Sequence, residues 1–411
     1  MASSAVLSAR GPHARFGGAA ARDAVPAKLS INSLSVTDFR NYDHLRLVCD
    51  GRPVVLSGSN GAGKTNLLEA LSFLAPGRGL RRARLSEVTR HGADGGAWAV
   101  AVSLSADQGE LAKLGTGLLP GENGVPGERR VVRIDGAPQS STACLTQWLS
   151  VVWLTPEMDR LFNDAASDRR RFLDRLAYGL DAGHATRLNA YDRSLRERSR
   201  LLRDGAMPNG TPPDPVWLDA TEAAMAEHGV AVAAARRETL ARLVGALQQA
   251  GDTVFPRAEM ALDGVLEDWL AELAAVDVED RFRVLLARQR GRDAQAGRAL
   301  DGPHRTDLRV RHCDSGMPAA DCSTGQQKSL LIAIILAYAR VLRSVAAPPI
   351  LLLDEVVAHL DGQARARLFD AIEELGAQAW LTGTDRMVFD AMGDRAQYFN
   401  VANGRVCETP A

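Results

Sequence analysis

Two stretches of this 411-residue chain carry residue types spaced for work on a phosphate. The first is Gly58-Ser59-Asn60-Gly61-Ala62-Gly63-Lys64-Thr65, which matches G-x-x-x-x-G-K-[ST]. Glycines let backbone N–H groups turn inward onto an anion, and a helix opening at the loop adds a favourable field. Lys64 would reach the β- and γ-phosphates of a nucleotide, and the Thr65 hydroxyl would ligate Mg²⁺. The second is Pro349-Ile350-Leu351-Leu352-Leu353-Asp354-Glu355, an apolar run that ends in two acids. On a buried strand, Asp354 would reach the sheet's C-terminal edge beside the loop and bind Mg²⁺ through water. Glu355, just beyond, would polarise an attacking water. A third stretch, Cys322-Ser323-Thr324-Gly325-Gln326-Gln327-Lys328, opens an apolar helix over 329–342. Ser323, Gly325 and Gln326 at a helix start can bind an anion, or Ser323 can simply cap a core helix.

These residues need elements to hold them. Val54-Val55-Leu56 reads as a buried strand before the loop. Leu67, Leu68, Leu71 and Leu74 give the helix after it, which Pro76-Gly77 stops. Leu34-Ser35-Val36, Leu45-Arg46-Leu47 and the set Trp98, Val100, Val102, Leu104 alternate as strands do. So do Val131 and Ile134 before an Asp135-Gly136 turn, and the glycine-rich span 115–127 reads as a loop between. Val151–Leu154 is one more buried strand. The pattern is then helical to about Leu286, broken by the Pro/Gly-rich span 208–215. Leu188, Tyr191, Leu195 and Leu202 form one stripe, and Leu218, Met225, Val232, Leu240, Val244 and Leu247 another, as in antiparallel helices. From Leu308 strand and helix signals alternate again.

Composition sets limits. Hydrophobic content of 46% with 24% charged residues is ordinary for a globular chain, and a net charge of −1 supplies no global field toward nucleic acid or membrane. Only Lys28, Lys64, Lys113 and Lys328 among the 49 basic residues are lysines, and two of them fall in the motifs above. Five cysteines without C-x-x-C pairing read as reduced, mostly buried thiols of a cytoplasmic protein. No apolar run is long enough to span a membrane.

The order of phosphate loop, Ser-x-Gly-Gln, apolar strand with Asp-Glu, then Leu360-Asp361 resembles the ABC-type ATPases. That resemblance implies ATP and Mg²⁺ as ligands. It also implies a homodimer in which Ser323 of one copy closes over the γ-phosphate held by Lys64 of the other. Transporter subunits have far less sequence between the loop and the serine segment, and SMC proteins have far more. The intermediate arm, with Phe39-Arg40-Asn41-Tyr42, Gly58–Ala70, Thr155-Pro156-Glu157, Arg169–Asp174, Gly302-Pro303-His304-Arg305 and Ser323–Lys328, is similar to the RecF family. Thr306, Ser199 and Ala358-His359 depart from the family pattern, and Thr384 stands where many ABC ATPases carry a histidine.

The fold expected is therefore α/β: a P-loop ABC-type ATPase head with an inserted antiparallel helical arm and a β subdomain. The expected parts are a disordered extension over 1–28, ATPase segments over 29–154 and 299–411, and the arm over 155–298. Membership of the family implies ATP-driven dimerisation on duplex, gapped or single-stranded DNA, with weak hydrolysis as a switch. It further implies RecR, RecO and RecA as partners in replication, recombinational repair and the SOS response. An SMC-like structural ATPase is the rival reading. Arg193, Arg196, Arg200 and Arg203 share one helix face. They are either a solvated face paired to acids such as Glu197 or a row of phosphate contacts. Arg169–Arg171 and His304 read as structural.

Overall fold

In the computed structural model, residues 28–93, 96–107, 109–120, 126–205, 214–249 and 255–410 are described. The extension expected over 1–28 lies outside them except for Lys28, as does most of the break expected over 208–215. The chain divides into two compact units. One comprises Met1–Leu154, Leu342–Ala358 and Leu368–Ala411, the other Thr155–Val341 and His359–Arg367.

In the first unit the chain opens with β1 (Leu29–Phe39), β2 (Tyr42–Val48) and β3 (Val54–Ser57). The helix α1 (Lys64–Ser72) follows, then β4 (Trp98–Ala106), β5 (Gly109–Pro120), β6 (Pro126–Ile134), β7 (Ala137–Gln139) and β8 (Val151–Leu154). The second unit holds α2 (Ala166–Leu180), α3 (His184–Gly205), α4 (Pro215–Gln249), β9 (Ala258–Asp263), α5 (Val265–Glu272), α6 (Ala275–Ala296) and β10 (Asp307–His312). After α7 (Thr324–Val345) come β11 (Ile350–Leu353), α8 (Gly362–Glu374), β12 (Ala379–Gly383), β13 (Gln397–Ala402) and β14 (Arg405–Thr409).

The first unit is built on two six-stranded sheets. One, ordered β2-β1-β4-β5-β6-β7, is antiparallel throughout. The other, β14-β13-β3-β12-β11-β8, is parallel except for its edge strand β14. Strands covered on both faces read as apolar runs, and β3, β11 and β12 are buried at every residue. The two sheets are joined by the fully buried Gln378, whose amide accepts from the Ile31 N–H at 2.8 Å and donates to the Ile31 and Arg52 carbonyls. Phe39 packs edge to face on Phe73 and Trp98 at the other end of α1, and those two rings meet at a tilt, with ring centroids 4.9 to 5.9 Å apart.

Two expectations fail here. The span 115–120 is strand, not loop: Ala112, Leu114, Thr116 and Leu118 alternate inward, and β5 pairs with both β4 and β6. Gly117 misleads because its neighbour leaves no room for a side chain; a Cβ there would lie 2.3 Å from the Trp98 carbonyl oxygen. Residues 121–125 lie outside the described residues. The cysteines are free but not mostly buried, since Cys313 and Cys407 are exposed and Cys144 is half-buried.

In the second unit, α3, α4 and α6 bury Tyr191, Met225, Ala226, Val230, Ala233, Phe282 and Leu286 in one cluster. Gly229 permits the close approach, because a Cβ would meet the Tyr191 and Phe282 rings at 3.1 and 3.3 Å. The helical pattern is interrupted by β9, which pairs antiparallel with β10. Residues 299–341, expected with the ATPase part, fall within the second unit, Thr155–Val341. No helix is long and apolar enough to cross a membrane among the described residues.

Candidate nucleotide site

The loop Gly58–Thr65 leaves the C-terminal end of β3, a central strand flanked by β12 and β13, and enters α1. This is the crevice at the carboxyl ends of parallel strands where open α/β sheets bind ligands. The backbone explains the glycines. Gly61 and Gly63 hold φ of +78° and +114°, and a Cβ on Gly58 would sit 2.2 Å from the Val401 carbonyl oxygen. The Lys64 side chain folds back into the loop, donating to the carbonyls of Gly58 at 2.7 Å and Ser59 at 2.9 Å. Burial lowers its pKa, while Glu355 and Asp354 act in the opposite direction. Ser59, Asn60 and Gly61 are exposed, so the cradle opens to solvent.

The chain's two distant motifs meet at this loop. Asp354, at the end of β11, accepts from the Thr65 hydroxyl at 2.9 Å and from the Thr382 hydroxyl at 2.7 Å. Thr382 accepts in turn from the backbone N–H of Glu355 at 2.9 Å. Glu355 sits in the left-handed region with φ of +51°, a conformation non-glycine residues rarely adopt outside constrained sites. One carboxylate oxygen thus gathers two hydroxyls beside an ammonium in a glycine-lined cradle, a donor set suited to Mg²⁺ and phosphate. No cluster of three or more His, Cys, Asp or Glu able to hold a metal by itself occurs among the described residues. A cation here would need oxygens from its ligand.

Sequence reasoning missed the parts that support the loop. Asn41 donates to the Ala62 carbonyl at 3.2 Å and accepts from Asn66 at 2.8 Å, and the Tyr42 hydroxyl donates to the Gly63 carbonyl at 3.1 Å. Burial raises the Tyr42 pKa, which keeps the hydroxyl a donor. Arg40 grips the fully buried Glu69 of α1 at 2.7 and 2.9 Å, and Arg81 adds a third contact at 3.1 Å. Arg130 donates to the carbonyls of Phe73, Ala75 and Gly77, neutralising the C-terminal end of α1 with a cation. The signal for Asn41 and Tyr42 was the four-residue Phe39–Tyr42 segment, but its target is visible only in three dimensions.

Ser323, Gly325 and Gln326 belong to the other unit, where they open α7. Ser323 and Gln326 form a reciprocal capping box: the Gln326 backbone N–H donates to the Ser323 hydroxyl at 3.3 Å, and the Gln326 side-chain Oε1 accepts from the Ser323 N–H at 3.0 Å. All three are exposed. Behind them, the buried Gln327 bonds Asn163 at 3.0 Å and Lys328 pairs with Asp159 at 3.5 Å.

Arg193, Arg196, Arg200 and Arg203 are exposed on α3. None pairs with Glu197, which accepts instead from the Trp217 indole at 3.1 Å. Arg169 pairs with Asp307 at 2.7 Å, Arg170 donates to the Thr306 carbonyl and Arg171 pairs with Asp168. His304 bonds the Tyr191 hydroxyl and the Ala299 carbonyl. The departures from the family pattern find partners here: Thr306 donates to the buried Glu267 at 2.8 Å, and Ser199 to the Leu195 carbonyl.

The RecF/RecN/SMC N-terminal domain matches residues 30–406. A DNA replication and repair protein RecF of Agrobacterium fabrum is 49% identical over 381 residues, covering 92% of this chain and 98% of that protein. Among solved structures, the recombination mediator protein RecF-ATPrS in the RecFOR pathway superposes with a TM-score of 0.78 at 21% identity, over 93% of this chain and 99% of that one. The Smc head domain of Pyrococcus furiosus gives 0.50 at 15% identity, over 93% and 96%. These last two are likenesses of fold: the chain has the fold of an Smc head. The chain belongs to the RecF family of DNA replication and repair proteins.

Proposed function

We propose that this chain is an ATP-operated clamp on DNA, in which two copies close around nucleotide. The observation that carries the reading is the Thr65–Asp354 bond at 2.9 Å beside the Lys64 ammonium in its glycine-lined loop. Gly58–Thr65 would cradle the β- and γ-phosphates, with Lys64 releasing its own loop carbonyls to do so. Thr65 and Asp354 would hold Mg²⁺, whose charge when bound offsets that of the phosphates. Glu355 would orient the attacking water and accept its proton, fixed by the tie from its N–H to Thr382.

Ser323, Gly325 and Gln326 would complete the same site from a second copy. Their exposure and their place at the N-terminal end of α7 support this, since the first-turn N–H groups there favour an anion. Hydrolysis would then be slow and act as a release step. Arg193, Arg196, Arg200 and Arg203 would meet the DNA backbone. The RecFOR pathway named for a solved RecF structure supports a role in recombinational repair. As the family resemblance implies, RecR and RecO would be partners in helping RecA load at gapped or single-stranded DNA, with a part in SOS induction. The protein would work in the cytoplasm.

The test is gel filtration of Glu355→Gln with ATP and Mg²⁺, with and without gapped duplex. An ATP-dependent shift from monomer to dimer is expected, larger with DNA. A monomer under all conditions would overturn the clamp. A dimer that fails to retain RecR in a pull-down would remove the mediator role and leave the ATPase.

A further inference from the structure

Several arginines on the surface of the helical unit are paired with an acid. Arg171 faces Asp168, Arg187 faces Asp181, Arg242 faces Glu238, Arg283 faces Asp280 and Arg309 faces Asp263. One cleft of about 460 Å³ gathers arginines that are mostly not so paired. Arg196, Arg200 and Arg203 of α3 form one side, and Arg298, His304 and Arg305 of the loop between α6 and β10 form the other. Among the described residues, Arg200, Arg298 and Arg305 have no carboxylate partner, and Arg196 bonds only the Asp192 carbonyl. Arg203 lies 4.0 Å from Asp204, itself exposed. The sequence beyond α3, 206–213, adds no acid.

The loop that carries Arg298 and Arg305 is fixed from below. Gly297 closes α6 with φ of +65°, its N–H bonding Ala294 and that of Arg298 bonding Asp293, which is a Schellman arrangement. His304 is pinned between the Tyr191 hydroxyl at 2.7 Å and the Ala299 carbonyl at 3.1 Å. The Ala299 carbonyl can only accept, so Nε2–H donates to it; in the neutral ring, which burial favours, Nδ1 then accepts from the Tyr191 hydroxyl. Gly302 must be glycine, since its φ is +133° and a Cβ would lie 2.5 Å from the Tyr191 hydroxyl. Arg298 and Arg305 are thereby held opposite α3 without a protein anion to hold them there.

Five guanidinium groups lining one cleft, with only Asp204 and Asp192 near two of them, repel each other unless an anion occupies it, and the planar fork suits phosphate oxygens. Arg196 to Arg203 spans about 10 Å of helix axis at about 1.5 Å per residue. Over that length a DNA strand presents about three phosphates, one per roughly 3.4 Å of axis. We infer that this cleft is a backbone-phosphate site for a DNA strand, gripped from both sides by α3 and by the Arg298–Arg305 loop. The inference rests on the DNA-binding reading above and adds to it a second, loop-borne set of contacts.

The experiment measures binding of the full-length protein, with ATP, to a labelled duplex at a series of salt concentrations. The variants are Arg298→Ala/Arg305→Ala, Arg298→Lys/Arg305→Lys and Arg309→Ala. Both arginines are exposed and make no side-chain hydrogen bond or ion pair among the described residues, so the alanine pair should keep the wild-type melting midpoint. It should shallow the slope of log K against log salt by about 1.8, at about 0.9 per lost phosphate contact. The lysine pair should keep the wild-type slope, and so should Arg309→Ala, whose charge is already paired. A wild-type slope for the alanine pair would overturn the cleft while leaving DNA binding elsewhere intact. An equal loss in Arg309→Ala would show a general charge effect and overturn it too. Absence of DNA binding by the wild type would overturn the clamp reading itself.

Discussion

Thr65 and Asp354 are separated by 289 residues in the chain and joined by a hydrogen bond of 2.9 Å. Thr155–Val341 of the second unit lies between them in sequence, yet the bond is made inside the first. It exists because β3 and β11 flank β12 in one parallel sheet and end at the same edge. The same Asp354 oxygen takes the Thr382 hydroxyl, so three strands converge on one carboxylate.

Replacing Asp354 by Asn separates charge from geometry. The Asn carbonyl can still accept from Thr65 and Thr382, so the melting midpoint should move by no more than a few degrees. The carboxylate that would hold Mg²⁺ is gone. The gain in nucleotide affinity on adding Mg²⁺, read by fluorescent-nucleotide titration, should fall about tenfold or more, roughly 1.4 kcal/mol. An unchanged Mg²⁺ dependence would remove Asp354 from the metal site.

Tyr42→Phe tests the support beneath the loop. The phenol is buried and its hydroxyl bonds the Gly63 carbonyl at 3.1 Å. Losing a donor to a buried carbonyl costs about 1–3 kcal/mol. Asn41→Ala should add to it by freeing the Ala62 carbonyl and Asn66. Both variants should weaken nucleotide binding about tenfold while leaving DNA-independent folding cooperative by circular dichroism. Full affinity in the double variant would mean the loop holds its shape alone.

The legible parts of the sequence were those whose meaning is local. The phosphate loop is eight contiguous residues, and β3, β8 and β11 announce themselves because strands buried on both faces must be apolar throughout. What escaped depended on distant neighbours. β5 looked like a loop because Gly117 is set by the Trp98 carbonyl across the ladder. β9 was hidden because its alternation of Ala258 and Met260 is short and lies between long helices. The roles of Asn41, Tyr42 and Thr382 are fixed by partners on other strands, and no spacing rule contains them. The helix face of Arg193–Arg203 was visible as a pattern, but its freedom from Glu197 was not.

Arg198 should be the costliest single change in the helical unit. Fully buried on α3, it bonds Glu222 of α4 at 2.9 Å, Asp293 of α6 at 2.6 Å and the Leu286 carbonyl at 2.7 Å. Arg198→Met keeps the length and leaves two buried carboxylates short of a cation: Glu222 retains Arg290, whereas Asp293 retains only the Leu300 N–H. Breaking a buried pair from one side costs about 3–5 kcal/mol. Urea unfolding should show that loss. A change below about 1 kcal/mol would mean the cluster contributes little.

The Tyr191–His304 pair predicts how stability depends on acid. Burial lowers the His304 pKa from its ordinary 6.5, helped by Arg305 and Arg170, while the Ala299 carbonyl and Asp293 oppose the shift. The folded state therefore binds this proton less readily than the unfolded chain. By linkage, stability rises with pH wherever the unfolded state carries more protons. The His304 contribution is fully present above about 6.5 and is lost as pH falls from there through the lower folded value. Protonation would also turn Nδ1 into a donor facing the Tyr191 hydroxyl, 2.7 Å away. The urea midpoint of the wild type should fall as pH is taken from 7 into the acid limb, before most carboxylates titrate. In His304→Gln, whose amide can accept from Tyr191 and donate to Ala299, that part of the fall should vanish. A His304→Gln profile parallel to the wild type down to about pH 5 would place the acid sensitivity elsewhere.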